Sequence, residues 1–183
     1  MEEIAKFDSE SMDAMAAFLA EFQNESDRAA AVLGRAYLDN RLGVLLREKF
    51  VGAPKFVEDL FHGQGGLSSF SAKISITYAI GLISKQAADD LHIVREIGNR
   101  FAHKLHGLSF ETPGIADRVD NFRVLKSLRL EDGQPLSLDS MDARKRFNIA
   151  VAILLLNAVE YRISQMPKFQ EVVASPIIQL RNF

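Results

Sequence analysis

The chain predicts an all-α protein, a single-domain bundle of about five to seven helices. Three observations predict it. Apolar residues recur at three- and four-residue steps in most segments, whereas the alternation of half-buried strands hardly occurs. Capping residues, glycine and proline stand at the edges of those periodic segments. The 183 residues are 48% hydrophobic, enough to fill one core, since a chain of this size buries roughly 70% of its unfolded surface.

Residues about 9–23 form the first expected helix, with Met12, Met15, Ala16, Leu19 and Phe22 on one apolar stripe. Asn24 is the expected N-cap of a second helix running to about Phe50. Asp27 falls in its first turn, and Ala31, Leu38, Leu42, Leu45 and Leu46 lie on its stripe. Gly52 and Pro54 end it, and Pro54 suits the first turn of a short helix, Lys55 to Phe61. His62-Gly63-Gln64-Gly65-Gly66 is expected to be a flexible connector. Ser68 or Ser69 caps a helix over about 70–80 that Gly81 closes, and Ser84 caps another over about 85–105. Thr112-Pro113 starts a shorter helix through Phe122. A turn-rich stretch at 125–138 contains Asp132-Gly133-Gln134-Pro135. Asp139 or Ser140 caps a last long helix to about Met166, stopped by Pro167. Its run from Ile149 to Leu156 is apolar on every face, so it is the expected centre of the bundle. No linker or repeat interrupts the chain. Residues 1–183 are read as one domain, with an acidic N-terminal helix within 1–27 and a weakly determined tail at 168–183.

Composition narrows the function. There is no cysteine, which excludes disulfides, thiol catalysis and cysteine-ligated zinc. The start, Met1-Glu2-Glu3-Ile4, is acidic and lacks an apolar signal core. The longest apolar run, Ile149 to Leu156, is far shorter than the roughly 20 residues a bilayer requires. A cytoplasmic protein without a membrane role is expected. Residues 1–27 carry a net charge of −7, so the rest carries +5 within an overall −2. That is well short of a dedicated nucleic-acid binder.

Most chemical motifs are absent. Gly63-Gln64-Gly65-Gly66 lacks the lysine and the preceding strand of a phosphate loop. The four histidines, His62, His92, His103 and His106, form no His-Glu-x-x-His pattern, and no metal site or cofactor is expected. No Gly-x-Ser-x-Gly elbow supports a serine nucleophile. No catalytic residue is assigned.

The informative segment is Leu91 to His106. Leu91, Val94, Gly98, Phe101 and Leu105 form the core-facing seam of a helix. His92, Arg95, Asn99, His103 and His106 lie beside it on an adjacent stripe, rotated by about 100° per residue. Polar groups at the border of a core must be hydrogen-bonded or solvated. The stripe therefore either ties neighbouring helices together or lines a binding site. Gly98 costs about 1 kcal/mol against alanine inside a helix, so close approach of another helix or of a ligand is expected there.

Here the chain resembles a known family. Gly66-Leu67-Ser68-Ser69-Phe70-Ser71-Ala72-Lys73-Ile74 leads into Tyr78-Ala79-Ile80-Gly81-Leu82-Ile83-Ser84. Asp90-Leu91-His92-Ile93-Val94-Arg95-Glu96-Ile97 and Asn99-Arg100-Phe101-Ala102-His103 follow. In order and spacing these pieces resemble the mannitol operon repressor family over about residues 28–125. The resemblance implies an all-helical, non-enzymatic regulator of transcription, acting on the utilisation of mannitol or of another sugar alcohol. Asn99-x-Phe-Ala-His103 is also similar to HEPN domains, helical bundles that include ribonucleases and toxin–antitoxin partners. That alternative implies RNA binding or RNA cleavage by an arginine and a histidine on one helix. The arginine would precede Asn99, but Gly98 stands there. Arg95 is about 12 Å from His103 along the axis, too far for both to hold one phosphate, and Arg100 is out of order. The candidate binding residues are Arg95, Asn99, Arg100 and His103.

The reading is therefore a repressor-type binding protein that acts through a protein partner and self-associates as a dimer. The dimer expectation rests on the apolar terminal helix, Met12, Met15, Phe18, Leu19 and Phe22. No helix pair offers a DNA-reading face. Two basic clusters, Arg144-Lys145-Arg146 and Arg118, Arg123, Lys126 and Arg129, are suited at most to phosphates. Weak duplex binding without sequence preference is expected.

Overall fold

Seven helices and one isolated antiparallel bridge, Arg129 to Pro135, make up the regular structure of the described residues. The structure is a computed structural model that describes residues 20, 22–104, 106–129, 133–135, 137–138, 140–156 and 169. The helices are α1 (Asp27–Lys49), α2 (Pro54–Phe61), α3 (Phe70–Ala79), α4 (Lys85–His103), α5 (Pro113–Asp120), α6 (Arg123–Lys126) and α7 (Ala143–Ile153). The all-α bundle is as the sequence predicts. Most of the expected first helix, the last helix beyond 156 and nearly all of the tail lie outside the described residues.

Short polar side chains start four of the helices. Ser26, Ser69, Ser84 and Asp142 each accept from the backbone N–H three residues on, at Ala29, Ala72, Ala87 and Lys145. Each satisfies one of the free donors of a first turn. Two starts differ from expectation. Ser26, not Asn24, caps α1, and the Asn24 amide donates back to the Ala20 carbonyl. α7 starts after Asp142 rather than Asp139 or Ser140. Pro54 sits at the start of α2 as predicted, and Gly81, at φ +76°, ends α3.

The glycine-rich connector is an ordered turn rather than a flexible one. Leu67 N–H donates to the Leu60 carbonyl at 2.8 Å. A Cβ on Gly65 would stand 2.3 Å from the carbonyl oxygens of Asp59 and Leu60. Only glycine allows the chain to fold so closely over the end of α2.

α1 and α4 form the central pair, in place of the expected α7. They run antiparallel: Arg28, at the start of α1, donates to the Phe101 and Lys104 carbonyls at the end of α4, while Arg35 lies against Gly98. Leu38, Leu42, Leu45 and Leu46 of α1 and Leu91, Val94, Ile97 and Phe101 of α4 are all fully buried. In α7, Ile149 and Ile153 are only partly buried, so its apolar run covers one side of the pair. Phe147 of α7 instead joins Phe110 and Phe122, with ring centroids 4.8 and 6.3 Å away.

The four-residue α6 was not legible as a helix. Buried Asp90 of α4 creates it by accepting from the backbone N–H groups of Arg123 at 3.0 Å and Val124 at 2.7 Å. Burial pushes the Asp90 carboxyl above the ordinary aspartate value of 3.8, although the two N–H groups and the Arg123 charge pull it back. A raised value in the folded state means that the native protein holds this proton more tightly than the unfolded chain. The stability it contributes is fully present below 3.8 and is lost as pH rises through the raised value. Asp90→Asn is expected to remove that slope from urea unfolding measured between about pH 4 and 7. It is also expected to destabilise the protein by about 1–3 kcal/mol at neutral pH, because an amide satisfies only one of the two donors. An unchanged slope and midpoint would show that Asp90 is not what holds α6.

Candidate functional site

The polar stripe of α4 lies where its spacing places it. Leu91, Val94, Gly98 and Phe101 are buried, His92, Arg95 and Asn99 are half-buried, and His103 and His106 are exposed. Leu105 lies outside the described residues. The stripe therefore runs along the rim of the α1–α4 seam.

The four candidate residues are not all brought together. Arg95 and Asn99 are one turn apart on the same side of α4. Arg95 Nε donates to His92 Nδ1 at 3.3 Å, and its Nη2 is 3.7 Å from Glu96. Arg100 turns to another side, where it donates to the Gly114 carbonyl of α5 at 3.2 Å. Glu96 pairs there with Arg118 at 3.2 Å. His103 ends the helix in solvent.

His92 is held below the ordinary histidine value of 6.5 by burial first, and by the Arg95 charge second. The neutral ring leaves Nδ1 free to accept from Arg95. The contribution to stability is present above 6.5 and is lost as pH falls through the lowered value.

The sequence flags Gly98, and the structure supplies its reason. A Cβ there would stand 2.7 Å from both Cβ and Cδ of Arg35 and 2.9 Å from the Ala31 carbonyl oxygen. Arg35 of α1 thus crosses α4 over Gly98, between Arg95 and Asn99 in sequence. Sequence reasoning missed Arg35, because nothing local to it signals which helix it crosses.

The basic clusters are largely occupied. Arg144 Nη1 donates to Asp27 at 3.1 Å, and its Nη2 donates to the Phe22 and Glu25 carbonyls at 2.8 and 3.1 Å. Its Nε reaches Asn148 at 3.2 Å. Arg146 pairs with Asp120, and Lys145 is 3.9 Å from Asp142. In the second cluster Arg118 pairs with Glu96, Arg123 with Asp89 at 3.0 Å, and Arg129 donates to the Lys126 and Leu128 carbonyls. No group of three or more His, Asp or Glu among the described residues could hold a metal ion. No helix among them is long and apolar enough to cross a membrane.

An all-helical fold of this kind is already known. A chain in the X-ray structure of the MtlR–HPr complex from Escherichia coli matches it with a TM-score of 0.63 and 16% identity, over 85% of this chain and 99% of that one. The family model for MtlR, described as mannitol repressor, matches residues 36–166. The chain belongs to the mannitol repressor family. Among curated proteins, none matches the chain.

Proposed function

We propose that the protein is a non-enzymatic regulator of the mannitol-repressor kind that works through a protein partner rather than by reading DNA. The observation that carries this reading is the fold shared over 85% of the chain with one whose solved structure is a complex with HPr. The occupied arginines support it. Of the seven basic residues in the two clusters, six are engaged within the chain: Arg118, Arg123, Arg129, Arg144, Lys145 and Arg146. An operator-reading surface needs side chains free to reach base edges.

Titrating purified HPr into the protein by calorimetry tests the reading, and saturable one-to-one binding is expected. A gel shift with the promoter of its own operon and a scrambled duplex completes the test. Both duplexes are expected to bind weakly and alike, with affinity collapsing between about 50 and 200 mM salt. No heat with HPr, together with tight promoter-selective binding at physiological salt, would overturn it. We also propose self-association as a dimer, which light scattering at micromolar concentration reads directly, and a cytoplasmic location.

A further inference from the structure

Two features coincide at Gly98. The Nε of Arg35 is buried without an acceptor, and no carboxylate of the described residues pairs with its guanidinium. Burying an unpaired guanidinium donor is costly unless something accepts from it. Gly98 also provides a bed for the side chain. The Arg35 stem lies within 2.7 Å of the space a Cβ would fill, so a larger residue there would push the stem aside.

Among the described residues, the neighbouring carboxylates are engaged by other side chains. Asp39, one turn further along α1, is neutralised by Lys73 at 2.6 Å. Glu96 is drawn to Arg118 on the other side of α4. Asn99 adjoins Gly98, is half-buried and makes no hydrogen bond among the described residues. Arg95 lies one turn away and is held by a neutral imidazole and only distantly by Glu96.

We propose that the rim of the α1–α4 seam at Gly98 binds a small phosphate-bearing anion, with Arg35 as the principal donor and the half-buried Asn99 and Arg95 flanking Gly98 along α4. A guanidinium fork matches phosphate oxygens in pairs, and an amide N–H₂ and a second guanidinium suit the remaining oxygens of a tetrahedral anion. A planar carboxylate would use only one fork.

Calorimetry on the full chain, at constant ionic strength in chloride, tests this with inorganic phosphate in one arm and glycerol 3-phosphate in the other. One-to-one binding tighter than about 1 mM is expected in at least one arm. Tighter binding of the free ion identifies inorganic phosphate as the ligand, and tighter binding of the ester identifies a phosphate monoester. Arg35→Gln is expected to weaken binding at least tenfold, and Gly98→Ala to weaken it while leaving every donor in place. Lys55→Gln, at an exposed lysine paired with Asp59, is expected to change nothing. Far-UV circular dichroism checks that each variant is folded, and Arg35→Lys provides a second variant that keeps the charge but loses the fork. Binding weaker than about 1 mM in both arms, or equal affinity in folded Arg35→Gln, would overturn the proposal. So would Arg35-dependent binding of a single-stranded RNA oligonucleotide with no response to either phosphate.

Discussion

Phe147→Ala is expected to lower stability by about 3–5 kcal/mol, or roughly 6–20 °C in Tm for a domain of this size. Phe147 is fully buried where α7 meets the segments before α5 and after it. Its ring lies 4.8 Å from that of Phe110, which lies 5.2 Å from that of Phe101 on α4. On its other side Phe122 is 6.3 Å away. Removing the ring leaves a cavity among four elements that cannot all close on it. Tilted aromatic pairs of this kind contribute about 0.5–1.5 kcal/mol beyond the area they bury. Urea unfolding followed by circular dichroism reads the loss, and a change below about 1 kcal/mol would show that the cluster does not organise the core.

Arg144→Ala is expected to cost about 2–3 kcal/mol, or roughly 4–12 °C in Tm. Its guanidinium fastens α7 to the start of α1 through Asp27, Asn148 and the carbonyls of Phe22 and Glu25. The Arg144 side chain is 16% exposed and Asp27 36%. Water therefore screens part of the Coulomb term, and the estimate lies below the 3–5 kcal/mol typical of a fully dry pair. Asp27 accepts also from the Phe110 backbone N–H at 2.9 Å, so removing Arg144 loosens the same aromatic ring that Phe147 supports. The two substitutions together are expected to be non-additive by about 0.5 kcal/mol or more. Strict additivity would mean that the clamp and the aromatic cluster act separately. If Arg144→Ala leaves stability unchanged but weakens duplex DNA binding, the arginine is a phosphate contact instead.

These residues mark the limit of what the sequence revealed. Leu91, Val94, Gly98 and Phe101 declared the α4 seam by spacing alone, and the Ser68-Ser69 pair and Ser84 declared two helix starts, because such signals are local. α6 was invisible because its cap, Asp90, lies on another helix. The start of α7 was misplaced because Asp139, Ser140 and Asp142 all have capping chemistry, and tertiary packing chose among them. Arg144 and Arg146 read as surface charge because a basic pair looks the same whether it faces solvent or an aspartate. The candidate site was half legible. Gly98 announced a close approach, but that the visitor was Arg35 depended on the α1–α4 register, which no local pattern states.

That register also sets the order of events during synthesis. α1 is made before the other six described helices, and its buried leucines complete their packing only when α4 follows. Arg28 must wait for Phe101 and Lys104, 73 and 76 residues later. At typical bacterial or eukaryotic elongation rates, roughly 5–20 residues per second, that gap lasts about 4–15 s. The Asp27–Arg144 link needs a further 40 residues or so, since it spans 117. A nascent chain with the buried face of α1 incompletely covered for seconds is a natural client for chaperones, and substitutions that weaken α4 should reduce soluble yield before they alter the finished protein.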